Sequence, residues 1–411
     1  MNRFRAALRA LRAAPPFGAR AQVKNAGVYA SFEPLGAPRW TARRYDRLAD
    51  EAYRKNVVAF RCINEVASGA AAVPWLLYQG HGARRREHEA HPLLGLLRRP
   101  NPTQGGVALM EALYAYLLIG GNAYLEAITP DDRAFLDAPP NELHALRPDR
   151  VSVLPGAASV PAGYRHEIDG ERRDFPLDQV SGRCRLLHLK NFSPLDDWYG
   201  LSPIEAAAFS IDQHNEAGAW NQALLQNGAR PSGALVYGGT DGAGMRLSDE
   251  QYERLKSEVE AQFQGARNAG RPLLLEGGLS WHEMSLSPKD MDFINAKHTA
   301  ARDIALAFGV PPQLLGLPGD NTYANMREAR LALWEETIIP LLRRTTDALN
   351  TWLAPLYGDE LCLEFDLDEV SALSLRRERV WQRLGTADWL TADEKRAASG
   401  YAPLKSTEES R

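Results

Sequence analysis

Two stretches of this sequence begin and end by the same rules, and together they restrict the fold more than any other feature. The first is LSPIEAAAFSIDQHNEAGAWNQALLQNGARP and the second LSPKDMDFINAKHTAARDIALAFGVPP. In the first, Ser202 is a candidate N-cap, Pro203 suits the first helical position, Glu205 completes a capping box, and Gly228 with Pro231 ends the run. In the second, Ser287, Pro288, Asp290, Gly309 and Pro311 take the same parts. The expectation is one continuous helix over Pro203–Asn227 and another over Pro288–Phe308. Both place Asn, Gln, His and Ala where a globular core wants Leu or Ile. Asp212, Gln213, His214, Asn215 and Glu216 follow one another, and the apolar stripe is thin: Ile204, Ile211, Trp220 and Leu224. A helix of that kind seldom lies at the centre of one domain. It is either a solvated spacer or packs sideways on copies of itself.

Between the two helices sits a compact unit. SGALVYGG reads as a strand, SDEQYERLKSEVEAQF as a charged helix capped by Ser248, and RPLLLEGG and LSWHEMSL as strands. This β-α-β-β insert is attached at both ends to a long helix, so it is expected to project on a paired-helix stalk. The glycines of GGTDGAG match no phosphate-binding fingerprint and read as a turn.

The second helix runs into an unusual corner, FGVPPQLLGLPGDNTYANMREA. Gly309 and the Pro311-Pro312 pair end one helix. A cap at Asn325 with Glu328 starts another, whose stripe is Leu331, Trp334, Ile338, Leu341, Ala348 and Trp352. Pro340 lies inside it, so a kink is expected there. ELCLEFDLDEV is a strand, and the tail is two short helices, the second capped by Thr391.

The first half is α+β. Val58, Cys62 and Val66, with Ala59 and Ile63 beside them, define a helix within Arg54–Ser68. VPWLLYQ is a strand, HPLLGLLRRPNP a short helix stopped by proline, and Met110–Ile119 a helix that Gly120-Gly121 turns into the strand NAYLEAI. Further strands are expected at ELHALRP, RVSVLP, YRHEID and CRLLHLKN. The whole is α+β and mainly helical.

Charge excludes some partners. The net charge of −4 advertises no basic surface for gripping nucleic acid, although a protein that merely surrounds a duplex could look the same. Arg outnumbers Lys forty to eight, but the arginines are spread along the chain, which fits GC-rich codon usage better than a phosphate site. Cys62, Cys184 and Cys362 lie far apart without metal spacing, as reduced cytoplasmic thiols do. No apolar run approaches the ~18 residues that span a bilayer. Residues 1–39 are Arg-rich, without an acid until Glu33, and read as a basic arm, flexible or bound to a partner, rather than an export signal.

No catalytic pattern emerges. There is no G-x-x-x-x-G-K-[ST], no G-x-S-x-G and no H-E-x-x-H. His81, His88 and His91 cluster in a polar loop without a carboxylate at ligand spacing. Asp131-Asp132 and Asp196-Asp197 each lie in a Pro-bounded loop, which turn chemistry explains better than a two-metal centre. Asn191 begins an N-F-S sequon that an unexported chain would not have modified. No metal and no cofactor are expected.

Taken in order, NVVAFRCINEVASGAAAVPWLLY, HPLLGLLRRPNP, YLLIGGNAYLE, LLHLKNFSPLDDWYGLSPIEAA and FGVPPQLLG…NTYANMREARLALWEETIIPLL resemble the portal proteins of tailed phages and gene transfer agents. The G-x-S-P-I form at Gly200–Ile204 and the V-P-P-x-L-L-G form at Val310–Gly316 are the most specific. The resemblance implies a portal fold: a wing over 40–200, stem helices over 201–228 and 287–309, an α/β clip over 229–286, a tunnel loop over 310–325, a kinked wing helix and strand over 326–370, and a short helical crown over 371–411.

It also implies function. Such chains form a ring, usually a dodecamer, at one capsid vertex of a virion or phage-like particle assembled in the bacterial cytoplasm. The ring passes double-stranded DNA without sequence specificity. It docks the large terminase, an ATPase, and later the head–tail adaptor, and it meets the major capsid protein. Leu317, Pro318, Gly319, Asp320, Asn321, Thr322, Tyr323 and Asn325 correspond to the channel loop. Glu250, Glu253, Arg254, Lys256, Ser257 and Glu260 would lie on the clip surface. Glu205, Asp212 and Glu216, with no Lys or Arg before Arg230, are candidate lumen-facing acids that would repel DNA. The rival readings are another head–tail connector or minor capsid protein, and a DNA-processing nuclease.

Overall fold

The computed structural model describes residues 44–80, 85–130, 136–156, 160–226, 233–237, 248, 250, 253–254, 257, 279–283, 293–317 and 323–399. The basic arm, most of the insert and the middle of the corner lie outside them.

A short helix, α1 (Tyr45–Leu48), continues as a π-helical turn over Ala49–Arg54. Neither was expected, because only Leu48 and Ala52 of this stretch are buried and no apolar period betrays it. Helix α2 (Val57–Ala71) follows the expected spacing, with Val58, Ala59, Cys62, Ile63, Val66, Ala67 and Ala70 buried. Val58, Ile63 and Val66, removed from water, contribute about 1.5–3 kcal/mol each. The chain then forms β1 (Trp75–Gln79), β2 (Arg86–Glu87), α3 (Pro92–Arg98) and α4 (Gly106–Gly120). Helix α4 starts a turn earlier than the expected Met110. It packs along α2 and forms, with it, the middle of the core.

Eleven strands lie among the described residues, all paired antiparallel. β3 (Asn122–Ile128) is flanked by β4 (Glu142–Leu146) and β8 (Leu186–Lys190). β6 (Pro161–Ile168) is flanked by β5 (Val151–Pro155) and β7 (Glu171–Pro176). β7, ERRDFP, was not foreseen: only Phe175 is buried, so the strand has no legible alternation. β1 pairs with β2 and with β11 (Leu361–Phe365), far away in sequence. Tyr124, Val151, Tyr164, Phe175, Cys184 and Leu186 form a second, smaller core between the sheets. All three cysteines are free thiols.

The first of the twin helices is not continuous. Residues Pro203–Ala206 form α5, Ala207 breaks it, and α6 runs over Ala208–Gln226. The expected capping box is absent too. The Ser202 hydroxyl accepts from the Ile204 N–H and donates back to the Leu118 and Ile119 carbonyls, so the cap serves to hold α5 on the end of α4. In the insert, β9 (Gly233–Tyr237) pairs with β10 (Leu279–Glu283), two of the three expected strands. The described part of the second twin is α7 (Phe293–Ala307); the caps expected of Ser287, Pro288 and Asp290 lie outside the described residues.

Gly309, at φ +65°, ends α7 as expected. A single 3-10 turn over Pro312–Leu315 follows, closed by Gly316. α8 (Tyr323–Ala332) begins two residues before Asn325, which is inside the helix and not its cap. The irregularity expected at Pro340 is a π-helical turn at Leu333–Ile338, immediately before α9 (Ile339–Trp352). A π turn moves the hydrogen-bond ladder by one residue, and so removes the demand that Pro340 donate to it. α10 (Ser374–Thr386) and α11 (Ala392–Ala398) are the two short helices expected in the tail, and Thr391 and Glu394 form a true capping box.

Candidate channel-forming stem and corner

Two of the motifs quoted above, YLLIGGNAYLE and LLHLKNFSPLDDWYGLSPIEAA, lie far apart in sequence but meet at one node. Asn122, the first residue of β3, accepts from the Gly200 N–H at 2.8 Å and lies 3.0 Å from His188 Nε2. Its amide donates to the Gly120 carbonyl at 2.8 Å. The Asn191 N–H donates to the Gly121 carbonyl, and its side chain donates to Leu201 O and accepts from Arg344 of α9. Gly121 and Gly200 press backbone on backbone. A Cβ built at Gly200 would stand 2.2 Å from Gly121 O, and one at Gly121 would stand 2.4 Å from Gly200 O. The G-G-N and G-L-S-P-I motifs are therefore two halves of one joint that fixes where the first twin helix leaves the sheet. The Asn191 of the sequon belongs to this joint.

His188 sits beside it, stacked on its cross-strand neighbour Tyr124 with ring centroids 4.4 Å apart. Burial, with Lys190 adding to it, pushes its pKa down to about 3. The fold holds a neutral imidazole, whereas the unfolded chain binds a proton below about pH 6.5. Stability from this residue is therefore complete above about pH 6.5 and declines as pH falls toward 3, by up to about 1.4 kcal/mol per pH unit. Denaturant midpoints measured from pH 7 to pH 4.5 should fall, and His188→Gln should fall less steeply. An identical slope would contradict this origin.

The polar residues of α6 also have a specific use. Asn56 is buried and caps α2, its oxygen accepting from the Val58 and Ala59 N–H groups. Its amide donates to Asn215 Oδ1 at 3.0 Å and lies 3.2 Å from His214 Nδ1. Asn215 donates in turn to Glu51 O at 3.0 Å. Burial, then Lys297 and His298 on α7, lower the His214 pKa. His214 and Asn215 thus anchor the helix to the body of its own chain. Asn56→Ala removes the cap and orphans both partners, so a loss of about 2–3 kcal/mol is expected in chemical denaturation. A change within experimental error would show the junction to be dispensable.

α6 and α7 pack on each other, with Ala208, Ile211 and Ala217 buried on one and Ala300, Ala301, Ile304 and Ala305 on the other. Small side chains let the two axes approach closely. Ser210 reaches Asp303 across them at 3.4 Å. Of the acids, Glu205 lies on α5 and is half-buried, Asp212 is half-buried on α6, and Glu216, one turn on, is exposed. The break at Ala207 separates Glu205 from the other two. α7 carries Lys297 and an exposed Arg302, so the net acidity belongs to the first helix alone.

At the corner, Leu317 is half-buried against the main core, Tyr323 begins α8, and Asn325 is exposed. Pro318, Gly319, Asp320, Asn321 and Thr322 lie outside the described residues. The corner's other end is held by Thr337 of the π turn, whose hydroxyl donates to Gly309 O at 2.7 Å. In the insert, Glu250, Glu253, Arg254 and Ser257 are helical and exposed, at spacings that share one face. Lys256 and Glu260 are outside the described residues.

The described members of the remaining candidates resolve as structure; His81 lies outside the described residues. His91 caps α3 by accepting the Leu93 N–H, and His88 bonds Gln79. Asp196 accepts from the Trp198 and Tyr199 N–H groups, a turn of the expected kind. Asp131-Asp132 fall outside the described residues. Sequence reasoning missed Asn56 and Arg344, because a single polar residue in an apolar period carries no signal of its distant partners.

A body of small antiparallel sheets and helices, left by one long helix and rejoined by another, is the class of protein that this fold and joint define. A family model described as phage portal protein matches residues 57–400. The chain belongs to the phage portal protein family, and its function is that of a portal protein. A protein of Rickettsia felis is 47% identical over 86% of this chain and 89% of the relative. The portal protein of Enterobacteria phage HK97 is 26% identical over 86% of this chain and 81% of its own. Among solved structures, the neck of a native gene transfer agent particle, computed with C12 symmetry, matches at 46% identity, covering 90% of this chain and 96% of that one, with a TM-score of 0.66.

Proposed function

We propose that twelve copies of this chain form a ring at the unique vertex of a phage-like particle, of the gene transfer agent kind, through which double-stranded DNA enters and leaves. The observation that carries this reading is the agreement over nearly the whole chain with a protein of a twelvefold particle neck. In it, α5–α6 and α7 are the stem, the β9–β10 insert the clip, the corner the tunnel loop and α10–α11 the crown.

The work of such a ring is organisational: the chain does no chemistry of its own, and energy comes from the terminase ATPase. The exposed face at Glu250, Glu253, Arg254 and Ser257 is the candidate docking surface for terminase and then for the head–tail adaptor. The body meets the major capsid protein. Acids at Asp212 and Glu216 keep the channel from holding DNA. Purified protein imaged in negative stain should show rings with an axial opening; a monomer with metal-dependent nuclease activity would overturn the reading. Assembled rings should also bind duplex DNA weakly, and tight binding with a steep salt dependence would contradict the role given to the stem acids.

A further inference from the structure

A cyclic ring joins unlike surfaces head to tail, so each copy must carry a projection and, elsewhere, the recess that receives it. One projection stands out. The loop after β8, Asn191–Tyr199, exposes Phe192 (84%) and Leu195 (97%), among the most solvent-exposed large apolar side chains described. It is not a loose tip. Asn191 is bonded to Leu201 and Arg344, Lys190 donates to Asp197 O, Asp196 holds Trp198 and Tyr199, and the Val153 N–H donates to the Tyr199 hydroxyl. A braced loop presenting two apolar side chains to water has already lost the conformational entropy that binding would otherwise cost.

A matching recess lies at the opposite end of α4. A cavity of about 390 Å³ opens between the end of α2, β1, α3 and the start of α4, lined by Val73, Trp75, Leu94, Leu97, Val107 and Met110. The loop's anchor is the other terminus: Asn191 bonds Leu117 O and Gly121 O. Helix α4 has 15 residues, so about 10 Å of helix separates Met110 in the recess from Leu117 at the anchor, and about 21 Å separates Val107 from Gly121. Charge agrees as well, since Asp196 and Asp197 flank the projection while Arg98 lines the recess. Two larger cavities, about 600 Å³ beside Leu187, His188 and Trp352 and about 450 Å³ beside Leu342, Asn350 and Leu363, lie along β8 and α9, the elements that hold the projection's own base through Lys190 and Arg344.

We propose that Phe192 and Leu195 of each copy insert into the Val73–Trp75–Leu97–Val107 recess of the next copy, and that this contact closes the ring. The proposal rests on the ring reading above. Its test is p-benzoylphenylalanine in place of Phe192, photolysed in assembled full-length protein and mapped by mass spectrometry. Bonds to residues 94–110 are expected, and they should join two copies into a covalent dimer on a denaturing gel, which separates them from bonds within one copy. Leu195→Asp and, on the recess side, Val107→Trp should each raise the concentration needed for half-assembly by about tenfold or more, a loss of about 1.4 kcal/mol per contact. Val107 is 56% exposed, so the subunit's own melting should hardly change. Rings that form with bonds elsewhere, and with both variants assembling normally, overturn this contact and leave the portal reading intact. Wild-type protein that forms no ring overturns both.

Discussion

Gly200→Ala is expected to leave little or no soluble folded protein. The added methyl would stand 2.2 Å from Gly121 O, 2.5 Å from Asn191 N and 2.7 Å from Asn191 O, all backbone atoms of segments already fixed by hydrogen bonds. No rotamer relieves such contacts; either the start of α5 or the end of α4 must move. Moving either breaks the Asn122–Gly200 bond and strands the Ser202 hydroxyl. The cost should exceed about 4 kcal/mol, among the largest that a single substitution produces. Gly121→Ala should behave alike, because its φ of +67° adds backbone strain to a contact of 2.4 Å. Gly95→Ala is the control: it lies in α3 with open space around it, and should be neutral or stabilise by about 1 kcal/mol. Soluble yield and urea midpoints decide the matter. A Gly200→Ala protein that melts like wild type would show that the joint is not what sets the departure of the stem.

The second large effect is functional and leaves stability alone. Deleting Gly319–Thr322 is expected to leave the ring assembled while DNA-filled particles fall by an order of magnitude. Both ends of the corner are held independently of those residues: Gly309 by Thr337, and Leu317 against the core, before α8 begins at Tyr323. Function concentrates in loops carried on such rigid ends. The loop's own chemistry suits a surface that touches DNA without holding it, since Asp320, Asn321 and Thr322 offer no cation to a phosphate. A cationic variant, Asn321→Lys, should retard packaging while leaving ring number unchanged. Particle filling at the wild-type level by the deletion would reduce the corner to a connector.

Much of this was legible in the sequence, and the physical reasons for the rest are specific. α2 buries a continuous apolar stripe, so its period announces it; in α9 the buried line is Leu342, Thr345 and Leu349, and the expected Leu341, Ala348 and Trp352 pack half-buried beside it. The twin helices were legible as helices: Ser202 and Pro203 start the first and Gly309 ends the second, while the other two ends lie outside the described residues. What the polarity of α6 could not disclose was its target. His214 and Asn215 bond the cap of α2 more than 150 positions earlier, a contact that leaves no local trace. Pro340 announced an irregularity in the last long helix but not its kind, because a π turn and a simple kink both answer a missing N–H. β7 stayed hidden because its exposed charged side chains imitate a loop. The joint was half legible: its motifs stood out, while the fact that they touch required the fold.

The central claim is that this chain forms the ring through which DNA passes at one vertex. Asymmetric reconstruction of particles carrying a tag on this chain tests it most directly. The expected result is a single twelvefold ring of this chain at one vertex, with the corner residues on its axis and DNA density in the opening. Density for this chain at all twelve vertices, or at none, would contradict it.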